Sequence, residues 1–306
     1  MSAAVGPLRH VRDLQSLAYL TAVPALALWQ WRHGFHALLY VPMLVMWIGI
    51  GVIHHHHAHR PMWRGRALNR ATDLLLAVLQ GHPTYAFAAT HNANHHRHRH
   101  GPGDWARTYR FARGDTNDLA GWLLHPFQAA AVLYPHFLGH LARQRRHRPG
   151  VWRWALLQYA LVGAIWAMAL WTDWRLALLY VLGPQLVAMH WLLGANYFQH
   201  AHADPRARWN YARNFTGAVN RVYFNIGLHT AHHEHPREHW SRMPDLHRQL
   251  RARVDPALEE TSFLAYVMRV LVLAPLVPRW RSRSLMTPAP RADAAPAATP
   301  ARASGL

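Results

Sequence analysis

The chain has 306 residues, 51% hydrophobic and 11% aromatic, enough for one large domain or a membrane protein. It contains no Cys, which excludes disulfides, thiolate-held iron or zinc and a cysteine nucleophile, so any metal must rest on nitrogen and oxygen ligands. The formal charge of +19 comes from Arg alone, since no Lys occurs; it suits an anionic membrane face or an acidic partner, and Arg-rich inner loops explain it without nucleic acid.

A mean hydropathy of -0.13 conceals long apolar runs, because 27 His and 33 Arg offset them. In chain order, Leu14 to Trp31 and His36 to Ile53 approach the roughly 20 residues needed to cross a bilayer, and so do Trp152 to Trp171 and Trp174 to Asn196. Aromatic residues cluster at their ends, as interfacial belts do. Short turns around Arg32 to Phe35 and at "WTDW", Trp171 to Trp174, make two helical hairpins. Arg9 and Arg12, the run Arg60 to Arg66, Arg143 to Gly150, and then Arg206, Arg208 and Arg213 flank the opposite ends, which the positive-inside rule puts in the cytoplasm. Thr72 to Thr90, Leu119 to Leu141 and Ser262 to Val277 are apolar but broken by Gly, Pro or His, and read as interfacial or re-entrant helices; the first two can also form one more hairpin. The expected fold is all-α and integral to the membrane: about four spanning helices in two hairpins, interfacial helices and a cytoplasmic His-rich cap. Residues 1–286 make the domain, and 287–306 a disordered Pro/Ala-rich tail. Arg9 and Arg12 before an apolar run also resemble a signal peptide, but "LWQWRHGF" and a second span follow where a polar mature start belongs.

Histidines gather just past the apolar segments, on the inner side. "HHHAH" places His55 and His59 at i, i+4 on one helix face. "HNANHH" holds His91, His95 and His96; the first two share a face and the third sits well round the helix unless the helix ends there. "HTAHH" presents His229, His232 and His233 together, and "NYFQHAH" brings His200 and His202 to the end of the fourth span. Two, three, one and three make nine imidazoles, too many for one ion and suited to two. His10, His33, His36, His125, His136, His140 and His147 read as surface or interfacial residues, and His98 and His100 as bystanders or phosphate contacts. No His-Glu-x-x-His occurs, against a zinc peptidase, and no Glu-x-x-His, against a ferritin-like carboxylate bundle. A His-rich metal transporter is the rival of another class, although transporters place ionisable groups inside their spans.

The segments "HHHAH", "HNANHH", "NYFQHAH" and "HTAHHEHP", in this order, resemble the histidine boxes of the integral-membrane fatty acid desaturase and hydroxylase superfamily, over roughly His54 to His247. The resemblance implies two non-haem iron ions held by His55, His59, His91, His95, His96, His200, His229, His232 and His233, with Asn196 near the metal through water. Four consecutive His leave the first box open by one residue, so that His54 can stand for His55. It further implies an oxygen-dependent enzyme of a bacterial inner membrane with a cytoplasmic site, taking hydrogen from an acyl chain on lipid, CoA or acyl carrier protein. Loss of a second hydrogen gives a desaturase; oxygen insertion gives a hydroxylase of acyl, alkyl or terpenoid chains. Trp191, Tyr197, Phe198 and Phe224 are candidates for an apolar tunnel. With no dinucleotide fingerprint and no "HPGG", electrons are expected from a ferredoxin with its reductase. Arg107, Arg110, Arg113, Arg143, Arg145, Arg146, Arg206 and Arg208 are candidate docking groups for such acidic partners or for anionic lipid.

Overall fold

The computed structural model describes residues 6–109 and 115–286, so the expected tail and the candidate docking residues Arg110 and Arg113 lie outside the described residues. The chain folds mainly as helices: α1 (Asp13–His33), α2 (Ala37–His59), α3 (Arg66–Gln80), α4 (Leu119–His147), α5 (Pro149–Ala177), α6 (Gly183–His200), α7 (His229–Glu234) and α8 (Met243–Leu250). Two-residue strands, Asn214–Phe215 and Glu259–Glu260, pair in parallel and tie the segment after α6 to the C-terminal region.

Ala37–His59 and the 52-residue helical stretch Pro149–His200 are long and apolar enough to cross a membrane; α1 has the length without that apolarity. A straight helix of that second length would run roughly 78 Å, yet Trp166 Nε1 donates to Gln185 Oε1 at 2.9 Å across 19 residues. The chain therefore doubles back, and the reversal is at Asp173, whose φ of -160° and ψ of 106° leave the helical region. α1 and α2 turn back at Gly34, whose φ is +92°. Tyr40 Oη donates to the Leu179 carbonyl at 2.9 Å, so both reversals lie at one end of the bundle. The histidine-bearing ends of α2 and α6 therefore share the other end.

Leu20 and Val23 of α1, Trp47, Ile50 and Ile53 of α2 and Leu76 of α3 pack into one buried cluster. The Trp47 indole, buried there, satisfies its N–H on the Leu79 carbonyl at 2.7 Å. Outward faces stay apolar: Leu38, Val41 and Val45 on α2, and Leu157, Met168 and Trp171 on α5, are exposed, as a lipid-facing surface requires. Gly194 lets α4 and α6 approach closely, since a Cβ there would lie 2.7 Å from Trp122 Nε1.

α2 continues six residues past Ile53 through the whole first histidine run, as His55 and His59 on one helix face require, and two other elements differ from the sequence reading. α4 is one unbroken 29-residue helix containing Pro126 and Pro135, because its flanks pack on α5 and α6 and each proline removes only one backbone bond. The expected loop Arg143 to Gly150 shrinks accordingly to a joint at Arg148. Thr72 to Thr90 divides into the end of α3, a left-handed Gly81 cap (φ +73°), a short helix Tyr85–Phe87 and a π-helix Ala88–His95.

Candidate metal centre

α2 supplies His55 and His59, the π-helical stretch supplies His91 and His95 with His96 directly after it, α6 ends in His200, and α7 carries His229, His232 and His233. They meet as two quartets. One nitrogen each of His55, His59, His91 and His232 lies within 4.8 Å of the others, and the same holds for His95, His200, His229 and His233. In the first, His55 Nε2 is 2.8 Å from His232 Nε2. In the second, His229 Nε2 is 3.0 Å from His200 Nε2 and 3.1 Å from His233 Nε2. His96 stands between them: its Nε2 is 3.0 Å from that of His91 and 3.1 Å from that of His232, while its ring centroid is 4.4 Å from that of His233.

The place of His96 corrects its helical-wheel position well round from His91. The His96 N–H bonds to the His91 carbonyl, an i→i+5 link that widens the turn and carries His96 back to the face of His91. α7 divides its three ligand candidates differently: His229 and His233, one turn apart, join the second quartet, and His232 joins the first.

Groups behind the imidazoles set their tautomers. His95 Nδ1 lies 2.6 Å from Asp104 Oδ2, and His200 Nδ1 2.8 Å from the Tyr211 carbonyl oxygen. A carbonyl only accepts, so His200 carries its proton on Nδ1 and turns its Nε2 lone pair inward. Asp104 also accepts the backbone N–H of His100 and of Ala106, each at 2.8 Å. Burial pushes its carboxyl up, and the His95 ring beside it, with the His100 ring and the Ala106 backbone N–H, outweighs this and holds it below the usual carboxylate range. Burial first, and neighbouring imidazoles second, hold His229, His232 and His233 well below the usual imidazole value, so they stand neutral.

Neutral imidazoles facing each other nitrogen to nitrogen can share at most one proton per contact, and His59 Nε2 and His95 Nε2 are buried with no hydrogen-bond partner. Lone pairs that converge in this way, each costly to leave buried and unmatched, fit one cation per quartet.

Other sequence-selected histidines go elsewhere. His54 Nε2 faces the Thr84 carbonyl at 3.3 Å and belongs to neither quartet, so within the first run it is His55 that joins the cluster. His202 faces Asp115 and Asn117. His33, His36, His136 and His147 are exposed. Three histidines read as peripheral are instead buried: His100 stacks on His200 at 4.9 Å, His125 packs on Tyr197, and His10 stacks on His239 at 3.7 Å. Asp104, in "GPGDW", went unnoticed because a carboxylate nine residues past His95 has no helical spacing to mark it.

A cavity of about 440 Å³ opens between α2, α4 and α6, a size ordinary for ligand pockets. His55 and His91 of one quartet and His95 and His229 of the other border it, with Asn196, whose amide donates to the Ala106 carbonyl at 2.5 Å. Val52, Leu186, Leu192 and Phe263 are among its apolar walls. Of the tunnel candidates, Trp191 and Phe198 line it. Tyr197 instead bonds Thr116, and Phe224 packs under Tyr19 and Trp240.

Apolar helical hairpins capped at one end by histidine clusters that could hold a metal ion define a helical, membrane-associated class of protein. The Fatty acid desaturase family model matches residues 17–265, most of the chain, and the protein belongs to that family. It is thereby an oxidoreductase of the desaturase superfamily. A comparison with curated proteins finds no match.

Proposed function

We propose that the protein is a multi-pass enzyme of a bacterial inner membrane that desaturates a fatty acyl chain at a di-iron site on the cytoplasmic face. The nine histidines His55, His59, His91, His95, His96, His200, His229, His232 and His233 hold the two irons, with Asn196 beside them through water. The observation that supports this reading is an apolar cavity bordered by two histidines from each quartet, of a size and lining suited to a saturated chain. When bound, the iron pair supplies the redox chemistry by which dioxygen removes hydrogen from an unactivated C–H bond. The balance is R–CH2–CH2–R + O2 + 2e⁻ + 2H⁺ → R–CH=CH–R + 2H2O. The cavity walls keep water from the reacting carbons, Asp104 and the Tyr211 carbonyl orient the imidazoles, and the two hairpins seat the chain in lipid. Family membership favours this oxidoreductase over a metal transporter.

Metal analysis with Mössbauer spectroscopy on iron-57 protein, followed by turnover under labelled dioxygen, tests the reading. About two coupled irons per chain, reduced in His232→Ala, and a double bond free of label are expected. Label retained as a hydroxyl makes the enzyme a hydroxylase of the same architecture; one zinc or no bound metal overturns the di-iron chemistry.

A further inference from the structure

We propose that Trp209 and its surrounding arginines form the docking and electron-input site for an acidic ferredoxin-class protein, an assignment that rests on the oxidoreductase function above. Each turnover consumes two electrons, and the receiving quartets are shut away: His200 is 0% and His229 2% exposed. A short route leads from the surface to one of them. Tyr211, itself fully buried, takes the His200 Nδ1 hydrogen bond on its carbonyl at 2.8 Å and sets its ring 5.5 Å from that of His233. Two residues earlier, the half-buried Trp209 packs on the cluster containing Leu228 and Ala231, which flank and form α7. From the Trp209 indole to the second quartet, the path thus runs through the side chain's own bonds, the backbone from residue 209 to the Tyr211 carbonyl and one hydrogen bond.

The charge around that indole is positive. The Arg208 guanidinium lies over the ring at 4.4 Å and that of Arg253 at 5.0 Å, in cation–π contact. Glu234 answers Arg99 at 3.3 Å and Arg208 at 3.5 Å and accepts the Tyr211 hydroxyl, while Arg206 and Arg253 are exposed. A half-buried indole lying under two guanidinium groups, one of them on the exposed Arg253, fits an acidic protein carrying a one-electron centre near its surface, drawn in by long-range charge and released after transfer.

The test uses the full chain in lipid nanodiscs, loaded with iron, and two reductants: an acidic [2Fe–2S] ferredoxin with its reductase, and dithionite with a small mediator. In Arg206→Glu with Arg253→Glu, the KM for ferredoxin should rise about tenfold and its steep salt dependence flatten, with dithionite-driven turnover unchanged. Trp209→Leu should lower kcat with ferredoxin while leaving its KM within twofold. Arg12→Glu with Arg237→Glu, exposed outside this patch, should keep the wild-type KM. An unchanged KM in the first variant, the same loss with both reductants, the loss appearing in the Arg12/Arg237 variant, or wild-type turnover with dithionite but none with ferredoxin overturns the assignment. Wild-type protein that makes no product with either reductant overturns the oxidoreductase function itself.

Discussion

Asp104 Oδ2 lies 2.6 Å from His95 Nδ1 with both side chains buried, a carboxylate set directly behind one imidazole of the second quartet. It fixes the ring and makes the inward nitrogen more basic. Asp104→Asn keeps an acceptor there and removes the charge. Metal affinity of the second quartet should fall by about 10–100-fold, read by chelator competition, and the first quartet should hold its metal. Equal affinity in variant and wild type would show that the carboxylate has no such effect.

Acid should loosen the metal-free protein. His229, His232 and His233 have folded-state pKa values well below 6.5, whereas in the unfolded chain they titrate near 6.5. The unfolded state therefore binds more protons as pH falls through about 6.5, so the stability present above that pH is progressively lost below it. Thermal unfolding in detergent should give a lower Tm at pH 5.5 than at pH 7.5; a flat profile would sink the account.

Chain length should be set by the cavity wall. Ala129, 4% exposed, lines the cavity from α4, and Ala129→Leu fills part of it. The preference for shorter over longer acyl chains, measured as a ratio of kcat/KM, should shift roughly tenfold for each methylene excluded. An unaltered product profile would place the chain elsewhere.

Arg213 is 1% exposed and donates to the Ala257 carbonyl at 2.7 Å and Ser282 Oγ at 2.9 Å, with Glu260 3.5 Å away and the Tyr266 ring 4.8 Å below it. Arg213→Met takes the donor from the Ala257 carbonyl and Ser282, while Glu260 keeps Arg269 at 2.6 Å, and should cost about 2 kcal/mol. Denaturant unfolding measures it, and a loss below about 0.5 kcal/mol would count against the tie.

The two hairpins were legible because uninterrupted apolar length and short polar turns are local properties; the Trp171 to Trp174 turn contains the observed break at Asp173. The His229, His232 and His233 cluster was legible because i, i+3, i+4 spacing encodes a face. Burial of His10, His100 and His125 was not, since what buries them comes from distant segments: His239 for one, His200 for another, Tyr197 for the third. The unbroken course of α4 through two prolines was hidden for the same reason, its support being the helices beside it.

The π-helix Ala88–His95 gives one corner of the site an unusual genetic vulnerability. Ala93 is exposed, so an alanine-scanning or chemical-labelling survey would pass over it. Removing that one residue would nevertheless put His91 and His96 four positions apart and shift every group that follows. At this corner the ligand set is written in residue count as much as in residue type, and single-codon deletions will expose what substitutions conceal.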